Sequence, residues 1–174
     1  MTACVEIPAL ETERLRLRAP CLGDWETVAA YLGSDRARYI GGPYPRDRAW
    51  RGFAASMGEW LLLGFGYWAV EERGTGRLVG AVGLQRPVPF PEPELGWDLY
   101  EGHEGRGYAT EAARAARDWA YGPRGLTTLV SFIDPENIRS IRVAERLGCH
   151  LDPEAWRADP EDLVYRHPRP GGTA

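Results

Sequence analysis

The segment from Glu94 to Tyr121 constrains the fold of this chain more than any other. It begins with the alternating apolar stretch ELGWDLY, continues through a loop that contains Gly105 and Gly107, and ends in the alanine-rich stretch YATEAARAARDWAY. Alternation with a period of two predicts a strand, and the run of good helix formers after the loop predicts a helix. A strand, a glycine-containing loop and a helix in this order favour a mixed α/β domain.

Strand and helix patterns continue through the rest of the sequence. They predict one strand, two helices and three strands, followed by a helix, a strand, a helix and one or two final strands. The predicted fold class is therefore a mixed α/β sandwich with helices on both faces of the sheet. The predicted segments are strand 13–20, helices 22–34 and 46–63, strands 64–72, 77–86 and 94–100, a helix ending near residue 121, strand 127–134, helix 135–148 and strand 163–167.

Local patterns predict further details of these segments. Leu15 and Leu17 share the inward face of the first strand, because side chains alternate along a strand. Asp24 is predicted to cap the first helix, a role that Asp commonly takes. Gly148 directly follows the fourth helix and predicts a glycine C-terminal cap.

The length of 174 residues favours one domain. We predict a single domain over residues 10–168, with flexible termini at 1–9 and 169–174. No apolar run approaches the roughly 20 residues needed to cross a bilayer. The N-terminal sequence lacks a basic start followed by an apolar core, so no signal peptide is predicted.

Charge and cysteine content exclude several classes of function. The net charge of −4 argues against nucleic-acid binding, which needs a basic face. Cys4, Cys21 and Cys149 are far apart and odd in number, which favours a reducing cytoplasm over a disulfide framework. All 21 basic residues are arginine. The absence of lysine excludes a Walker A lysine, a Schiff-base lysine and a lysine general base.

The loop before the alanine-rich helix is a candidate anion site. The first amides of a helix lack intrahelical acceptors, and the helix dipole places partial positive charge beside them. Glycines can adopt backbone angles that turn such amides inward and let a ligand approach. A pyrophosphate suits this site, although a loop that only reverses the chain would use the same glycines. The amides concerned belong to Gly105, Arg106, Gly107, Tyr108, Ala109 and Thr110, and Thr110 adds a hydroxyl.

A dinucleotide-binding fingerprint is a rival interpretation of these glycines, and Asp134 ends the following strand, where a ribose-binding acid would lie. Three features count against it. Thr110 stands where a third glycine is needed, and the loop from Tyr100 to Gly105 is too long for a tight strand-to-helix turn. The rest of the chain also supplies too few βα units for a doubly wound sheet.

The stretch EGRGYATEA resembles the cofactor-binding motif of the GNAT acetyltransferases, whose pattern is Gln/Arg-x-x-Gly-x-Gly/Ala. Glu104 stands at the first position, and Gly107 and Ala109 match the last two. The stretches LETERLRLR, ELGWDLYEG and DPENIRSIRVAERLG resemble the branch of the ribosomal-protein N-terminal acetyltransferases, the Rim type. The resemblance runs from Leu10 to His167. It implies the GNAT fold, in which a mixed, mostly antiparallel sheet is splayed between two central strands.

The resemblance also implies binding of acetyl-CoA and direct transfer of its acetyl group to an amine. The pyrophosphate would lie on the amides of residues 106–110, beside Glu104 and Gly105. The pantetheine arm would enter between the strands LGWDLY and LVSFID. There the backbone of Trp97 and Leu99 would offer hydrogen bonds, and an amide would polarise the thioester carbonyl.

The helix after the buried strand carries two more implied contacts. Asn137 and Ser140 lie three residues apart, so they share one helix face, and in the family these positions contact the pantetheine arm and the sulfur. Asn137 is also a candidate helix cap. Many relatives protonate the leaving thiolate with a tyrosine seven residues after the asparagine, where this chain has Ala144. Ser140 or an ordered water is the candidate substitute.

Glu94 is the candidate general base, because it opens the central strand beside the cleft. A solvated acid at the end of a strand is the competing interpretation. Asp98, Glu101 and His103 are weaker candidates. No His, Cys or Asp cluster has metal-ligand spacing. No Ser-His-Asp set is apparent either, which suits direct transfer without an acyl-enzyme.

The acceptor would enter at YIGGPYPRDRAW and at PVPFPEP. A peptide N-terminus, an antibiotic amine and a polyamine all stay open as acceptors, and a homodimer is compatible with this branch. The second class of function is a CoA-binding sensor or a partner-binding module, which the missing tyrosine and Glu104 leave open. The predicted lining is an aromatic wall of Tyr39, Tyr44 and Trp50 with three acids that attract a cation, Glu92, Glu94 and Asp98.

Overall fold

The computed structural model describes residues 5–171. Within that range the chain forms one eight-stranded sheet and four α-helices, with short 3-10 helices at Leu22–Asp24 and Asp35–Ile40. Each predicted helix and strand has a counterpart in the structure. In chain order the elements are β1 (Leu10–Glu11), β2 (Leu15–Arg18), α1 (Trp25–Leu32), α2 (Arg46–Leu63), β3 (Tyr67–Glu72), β4 (Arg77–Gln85), β5 (Glu94–Leu99), α3 (Tyr108–Tyr121), β6 (Val130–Ile133), α4 (Ile138–Arg146), β7 (His150–Leu151) and β8 (Leu163–Arg166).

The strands lie in the order β1-β2-β3-β4-β5-β6-β8-β7. All neighbouring pairs are antiparallel except β5 and β6, which run parallel. The predicted mixed, mostly antiparallel sheet is confirmed. The structure adds β1 at one edge, which the sequence pattern did not predict because a strand of two residues is too short to show a period.

One face of the sheet packs against α3. Leu15 and Leu17 of β2 are fully buried there, as predicted, and Leu95 of β5 is buried with them. The helix meets this face with alanines, whose small side chains let the helix axis approach the sheet closely. The buried alanines are Ala109, Ala112, Ala113, Ala116 and Ala120.

The first two helices cover the opposite face. Tyr31 of α1 donates a hydrogen bond to the Asp98 carboxylate of β5 at 2.6 Å. Because side chains alternate along β5, Glu94 and Gly96 lie on the same face as Asp98. Leu95 lies on the α3 side, so helices on both faces of the sheet are confirmed, and β5 separates an apolar core from an acidic surface.

Asp24 does not cap α1, contrary to the prediction. Its buried carboxylate accepts two hydrogen bonds from the Arg18 guanidinium, at 2.8 and 2.9 Å, and one from the Cys21 amide at 2.8 Å. Arg18 belongs to β2, so the ion pair joins the start of α1 to the sheet. The guanidinium occupies both carboxylate oxygens in a charge-assisted, bidentate pair, so Asp24 joins α1 to the sheet and does not bond the amides of α1.

Residues 1–4 and 172–174, which belong to the termini predicted to be flexible, lie outside the described residues. Within the predicted N-terminal segment, Ile7 packs against the core, and the Pro8 carbonyl accepts a hydrogen bond from the Trp68 indole at 2.8 Å. The packed part of the chain therefore begins before residue 10. Across the described residues, no helix combines the length and the apolar character that crossing a membrane requires.

Candidate active site

The sheet opens between β5 and β6. These strands share one facing pair of residues, Glu94 and Val130, and the Val130 amide donates to the Pro93 carbonyl at 3.1 Å. Farther along, Ser131 Oγ donates to the Leu95 carbonyl at 2.5 Å, so a side chain bridges the strands where their backbone pairing has ended. The splay between two central strands is present, as the resemblance implied.

The backbone of Trp97 and Leu99 faces this gap. The Tyr100 amide donates to the Val79 carbonyl of β4 at 3.0 Å, and successive backbone groups of a strand point to opposite edges. The N–H and C=O groups of Trp97 and Leu99 therefore point toward β6. The Leu99 carbonyl already accepts a hydrogen bond from Arg36 Nη2 at 2.8 Å. The Leu99 amide and the Trp97 backbone are the groups left for a ligand.

The glycine loop has a defined backbone shape. Gly105 and Gly107 have positive φ angles of 76° and 80°, which glycine adopts without the strain that other residues incur. Arg14, from the turn before β2, fastens the loop to the helix that follows. Its Nη1 donates to the Arg106 carbonyl at 2.8 Å, and its Nε donates to the Glu111 carboxylate at 2.8 Å.

The first amides of α3 are free to bind an anion. The helix begins directly after Gly107 and has no side-chain cap, and its first bond runs from the Glu111 amide to the Gly107 carbonyl at 3.0 Å. The amides of residues 108–110 therefore have no intrahelical acceptor. The Thr110 hydroxyl is buried and has no hydrogen-bond partner among the described residues. These converging donors fit a diphosphate.

The side chains of the same loop are engaged elsewhere. Tyr108 is buried and its hydroxyl donates to Glu72, while the Arg106 guanidinium lies 3.7 Å from the same carboxylate. Glu104 forms an ion pair with Arg36. The loop therefore offers a ligand its backbone and not its long side chains.

The N-terminus of α4 contrasts with that of α3. Asn137 Oδ1 accepts a hydrogen bond from the Ser140 amide at 3.2 Å, so Asn137 caps the helix as predicted. Both residues line the cleft. The Ser140 hydroxyl makes no hydrogen bond to another described residue and is free to contact a ligand. Ala144, at the position of the missing tyrosine, is fully buried.

Two carboxylates lie on the face of β5 that α1 and α2 cover. Burial raises the pKa of Glu94 to about 7, although hydrogen bonds from Gln85 Nε2, at 2.6 Å, and from the Phe132 amide favour the charged form. Burial also raises the pKa of Asp98 to about 6, against the hydrogen bond from the Tyr31 hydroxyl. Both groups can therefore exchange a proton near neutral pH.

The predicted aromatic wall is only partly correct. Tyr39 and Tyr44 line the cleft. Trp50 does not: it is 43% exposed and packs against Trp25 and Phe53 on the outer side of α2. Phe53, three residues farther along α2, lines the cleft instead.

Glu92 was predicted to attract a cationic substrate, and this prediction is wrong. Its carboxylate is paired with Arg166 at 2.7 Å and also accepts a hydrogen bond from Thr128. These bonds, first of all the one from Arg166, lower the pKa of Glu92. Glu101 lies exposed in the turn after β5. His103 Nδ1 is buried with no partner among the described residues, and neither residue lines the cleft.

A buried polar chain lies behind the gap. Ser131 Oγ is 2.9 Å from His167 Nε2, and His167 Nδ1 is 3.2 Å from Cys149 Sγ. Burial lowers the pKa of His167 to about 3, so the imidazole is neutral near neutral pH. A neutral imidazole donates through one nitrogen and accepts through the other, which suits a chain between a hydroxyl and a thiol. The His167 ring therefore fixes the position of the Ser131 hydroxyl, which bridges β5 and β6.

One cleft of about 1850 Å³ joins the gap, the glycine loop and the acidic face of β5. Its residues fit acetyl-CoA at one end, through the amides of α3, and a smaller group at the other. Among residues 5–171, no group of three or more His, Cys, Asp or Glu side chains is placed to hold a metal ion.

A family model described as "Acetyltransferase (GNAT) domain" matches residues 14–150, which include the gap, the glycine loop and both carboxylates. The chain belongs to the GNAT acetyltransferase family. It is therefore an acetyl-CoA-dependent acyltransferase, and acetyl-CoA is its cosubstrate.

Individual proteins are similar to this chain over most of its length. The structure of the acetyltransferase from Agrobacterium tumefaciens str. C58 has a TM-score of 0.91 and 46% identity, covering 97% of this chain and 99% of that one. The Bacillus subtilis (strain 168) protein YkkB is 38% identical over 160 residues, or 90% of this chain and 93% of YkkB. RimL, a ribosomal L7/L12 alpha-N-protein acetyltransferase in complex with coenzyme A, shares the fold, with a TM-score of 0.73 and 13% identity over 91% of this chain and 96% of that one.

The family prediction is confirmed, while the roles of individual residues stay predictions. Sequence reasoning missed several residues that contact this site, because most of them reach it through a contact distant in sequence. Tyr31 is 67 positions from Asp98, and Arg36 is 63 positions from Leu99. No motif of the sequence marks these residues. The others that it missed are Arg14, Gln85 and Ser131.

Proposed function

We propose that this GNAT enzyme acetylates a primary amine that approaches β5 from the side of α1 and α2, by direct attack in a ternary complex. The observation that carries the proposal is the pair of half-buried carboxylates, Glu94 and Asp98, on the face of β5 that meets the cleft. A protonated amine is attracted to such a surface, and it must lose a proton before it can attack. Acetyl-CoA, when bound, supplies the acetyl group as a thioester.

The cofactor-binding residues of the proposal surround the gap. The loop from Glu104 to Gly107 and the amides of residues 108–110 would hold the diphosphate, for which the uncapped start of α3 is the support. The amide of Trp97 or Leu99 would donate to the acyl oxygen as charge develops on it, which is a strong electrostatic contribution to acyl transfer. Asn137 and Ser140 would contact the pantetheine arm from α4.

Glu94 would act as the general base. Because the pKa of Glu94 is about 7, a fraction of the molecules carry a charged Glu94 carboxylate at neutral pH. A carboxylate with this pKa is also a strong enough base to accept the proton. Gln85 Nε2 donates to one carboxylate oxygen at 2.6 Å and so fixes the orientation of the carboxylate, which would accept the proton from the amine directly or through a water. Asp98 would serve to attract the cation, since the Tyr31 hydroxyl occupies part of its carboxylate.

Ser140 is the proposed proton donor to the leaving thiolate, because Ala144, at the position of the missing tyrosine, has no hydroxyl. A Ser140→Ala variant is expected to lower kcat by about 10²-fold, the usual contribution of a positioned proton donor. A Ser140→Thr variant keeps the hydroxyl and should retain most of the activity. Steady-state kinetics at saturating acetyl-CoA is the measurement. Unchanged turnover in the alanine variant would remove Ser140 from the mechanism and leave the role to water.

The acceptor is best identified by thiol release from acetyl-CoA in the presence of an amine panel. The panel should contain peptides with free N-termini, their N-terminally blocked forms, polyamines and aminoglycoside amines. Turnover with free but not blocked peptides would support the Rim-type interpretation, and turnover with polyamines alone would assign a small cationic acceptor. Binding of acetyl-CoA without turnover on any amine would instead favour the CoA-binding sensor, which Glu104 and the missing tyrosine support.

A further inference from the structure

Arg36 is one of the residues that line the cleft. It belongs to the 3-10 helix Asp35–Ile40 on the acceptor side, yet its guanidinium reaches the end of β5 and the start of the glycine loop. Nη2 donates to the Leu99 carbonyl at 2.8 Å, and Nη1 pairs with the Glu104 carboxylate. Nε is buried and has no hydrogen-bond partner among the described residues.

The position of this guanidinium points to an anionic ligand. Its two partners mark the junction between the gap, where Leu99 lies, and the loop that leads to the free amides of residues 108–110. A buried N–H without an acceptor is unfavourable, so Nε is expected to find one when the cleft is filled. Arginine presents its donors in a fixed fork that matches phosphate oxygens.

The side chain at position 104 offers a phosphate no hydrogen-bond donor. Glu104 is an acceptor when charged. The structure places the Arg36 guanidinium against Glu104, so a donor is present at this point of the loop but comes from another part of the chain.

We propose that Arg36 binds the diphosphate end of acetyl-CoA and supplies the donor that position 104 lacks. The assignment rests on the proposed placement of the diphosphate at the start of α3. It also gives the 3-10 helix a part in cofactor binding. The same helix carries Tyr39 of the acceptor wall, whose hydroxyl donates to the Glu136 carbonyl beside α4 at 3.2 Å. Cofactor and acceptor sites would therefore share this short segment.

Calorimetric titration with acetyl-CoA, without any acceptor, tests the proposal. An Arg36→Gln variant should bind acetyl-CoA about tenfold more weakly, the loss expected for one charge-assisted hydrogen bond. Adding Glu104→Arg to that variant restores a guanidinium at the same point of the loop and should recover most of the affinity. An Arg124→Gln variant is the matched control, because Arg124 donates to the Leu63 carbonyl at 2.7 Å and does not line the cleft.

The outcomes separate the possible failures. If Arg36→Gln binds acetyl-CoA as tightly as the wild type, the assignment of Arg36 is wrong. If affinity falls but Glu104→Arg does not restore it, Arg36 only joins two segments through its ion pair, and the assignment is again wrong. Wild-type protein that fails to bind acetyl-CoA would overturn the proposed cofactor site together with this inference. Binding without amine turnover would count against the proposed acceptor chemistry alone.

Discussion

A Glu94→Gln variant is expected to lose kcat by about 10²–10³-fold, because glutamine cannot accept the proton of the attacking amine. The wild-type rate should rise with pH as Glu94 loses its proton, with a midpoint near its pKa of about 7. The variant should lack this rise. The measurement is a pH–rate profile of kcat at saturating acetyl-CoA and amine.

The fold should survive this substitution. Burial raises the pKa of Glu94 above its value in the unfolded chain, so the folded state favours the protonated form. The free energy of unfolding therefore falls as pH rises through the folded-state pKa of Glu94, because the half-buried carboxylate becomes charged. Glutamine stays neutral, so the variant does not show this loss of stability. The variant should melt no lower than the wild type above neutral pH. A wild-type pH–rate profile in the variant would exclude Glu94 as the base, and an Asp98→Asn variant is the comparison that tests the second carboxylate.

A Gly107→Val variant is expected to weaken acetyl-CoA binding by about 100-fold, through the loss of two or more hydrogen bonds to a charged group. Gly107 has a φ of 80°, which a β-branched residue avoids, so the loop must move the amides that follow it. Gly107 lines the cleft, and the new Cβ would lie 3.5 Å from Arg14 Nη2. The valine side chain would therefore also take up space in the cleft. Calorimetric titration with acetyl-CoA measures the change.

Gly76→Val is the matched control for backbone strain. Gly76 lies in the turn between β3 and β4, has a φ of 68° and has open space around its Cβ position. This variant should lose stability in thermal melting as Gly107→Val does, but it should keep wild-type affinity for acetyl-CoA. Equal loss of affinity in both variants would mean that general destabilisation, and not the amides of α3, explains the result.

The site combines two kinds of surface on one strand. The backbone of β5 faces the gap with free groups at Trp97 and with the Leu99 amide, while its side chains at Glu94 and Asp98 face the side of α1 and α2. A strand can do both because its backbone groups point sideways and its side chains point up and down. In the proposed mechanism the thioester and the amine would therefore approach the same strand from perpendicular directions.

Local signals in the sequence determined the elements of this protein. Period-two alternation placed β5, the alanine-rich stretch placed α3, and Asn137 and Gly148 marked the two ends of α4. Such signals depend on residues a few positions apart, so they can be read along the chain. The glycine motif and three further stretches also sufficed to identify the family, because their order along the chain is specific.

Only the tertiary structure decided which side chains are free to act. The sequence placed Glu92 with Glu94, yet Arg166 neutralises Glu92 whereas burial leaves Glu94 with a pKa of about 7. It also showed no link between Arg36 and Leu99, which lie 63 positions apart. Burial and ion pairing are set by residues that meet through folding, so local sequence determines where an acid or a guanidinium stands, and the packed structure determines its charge, its partner and its use.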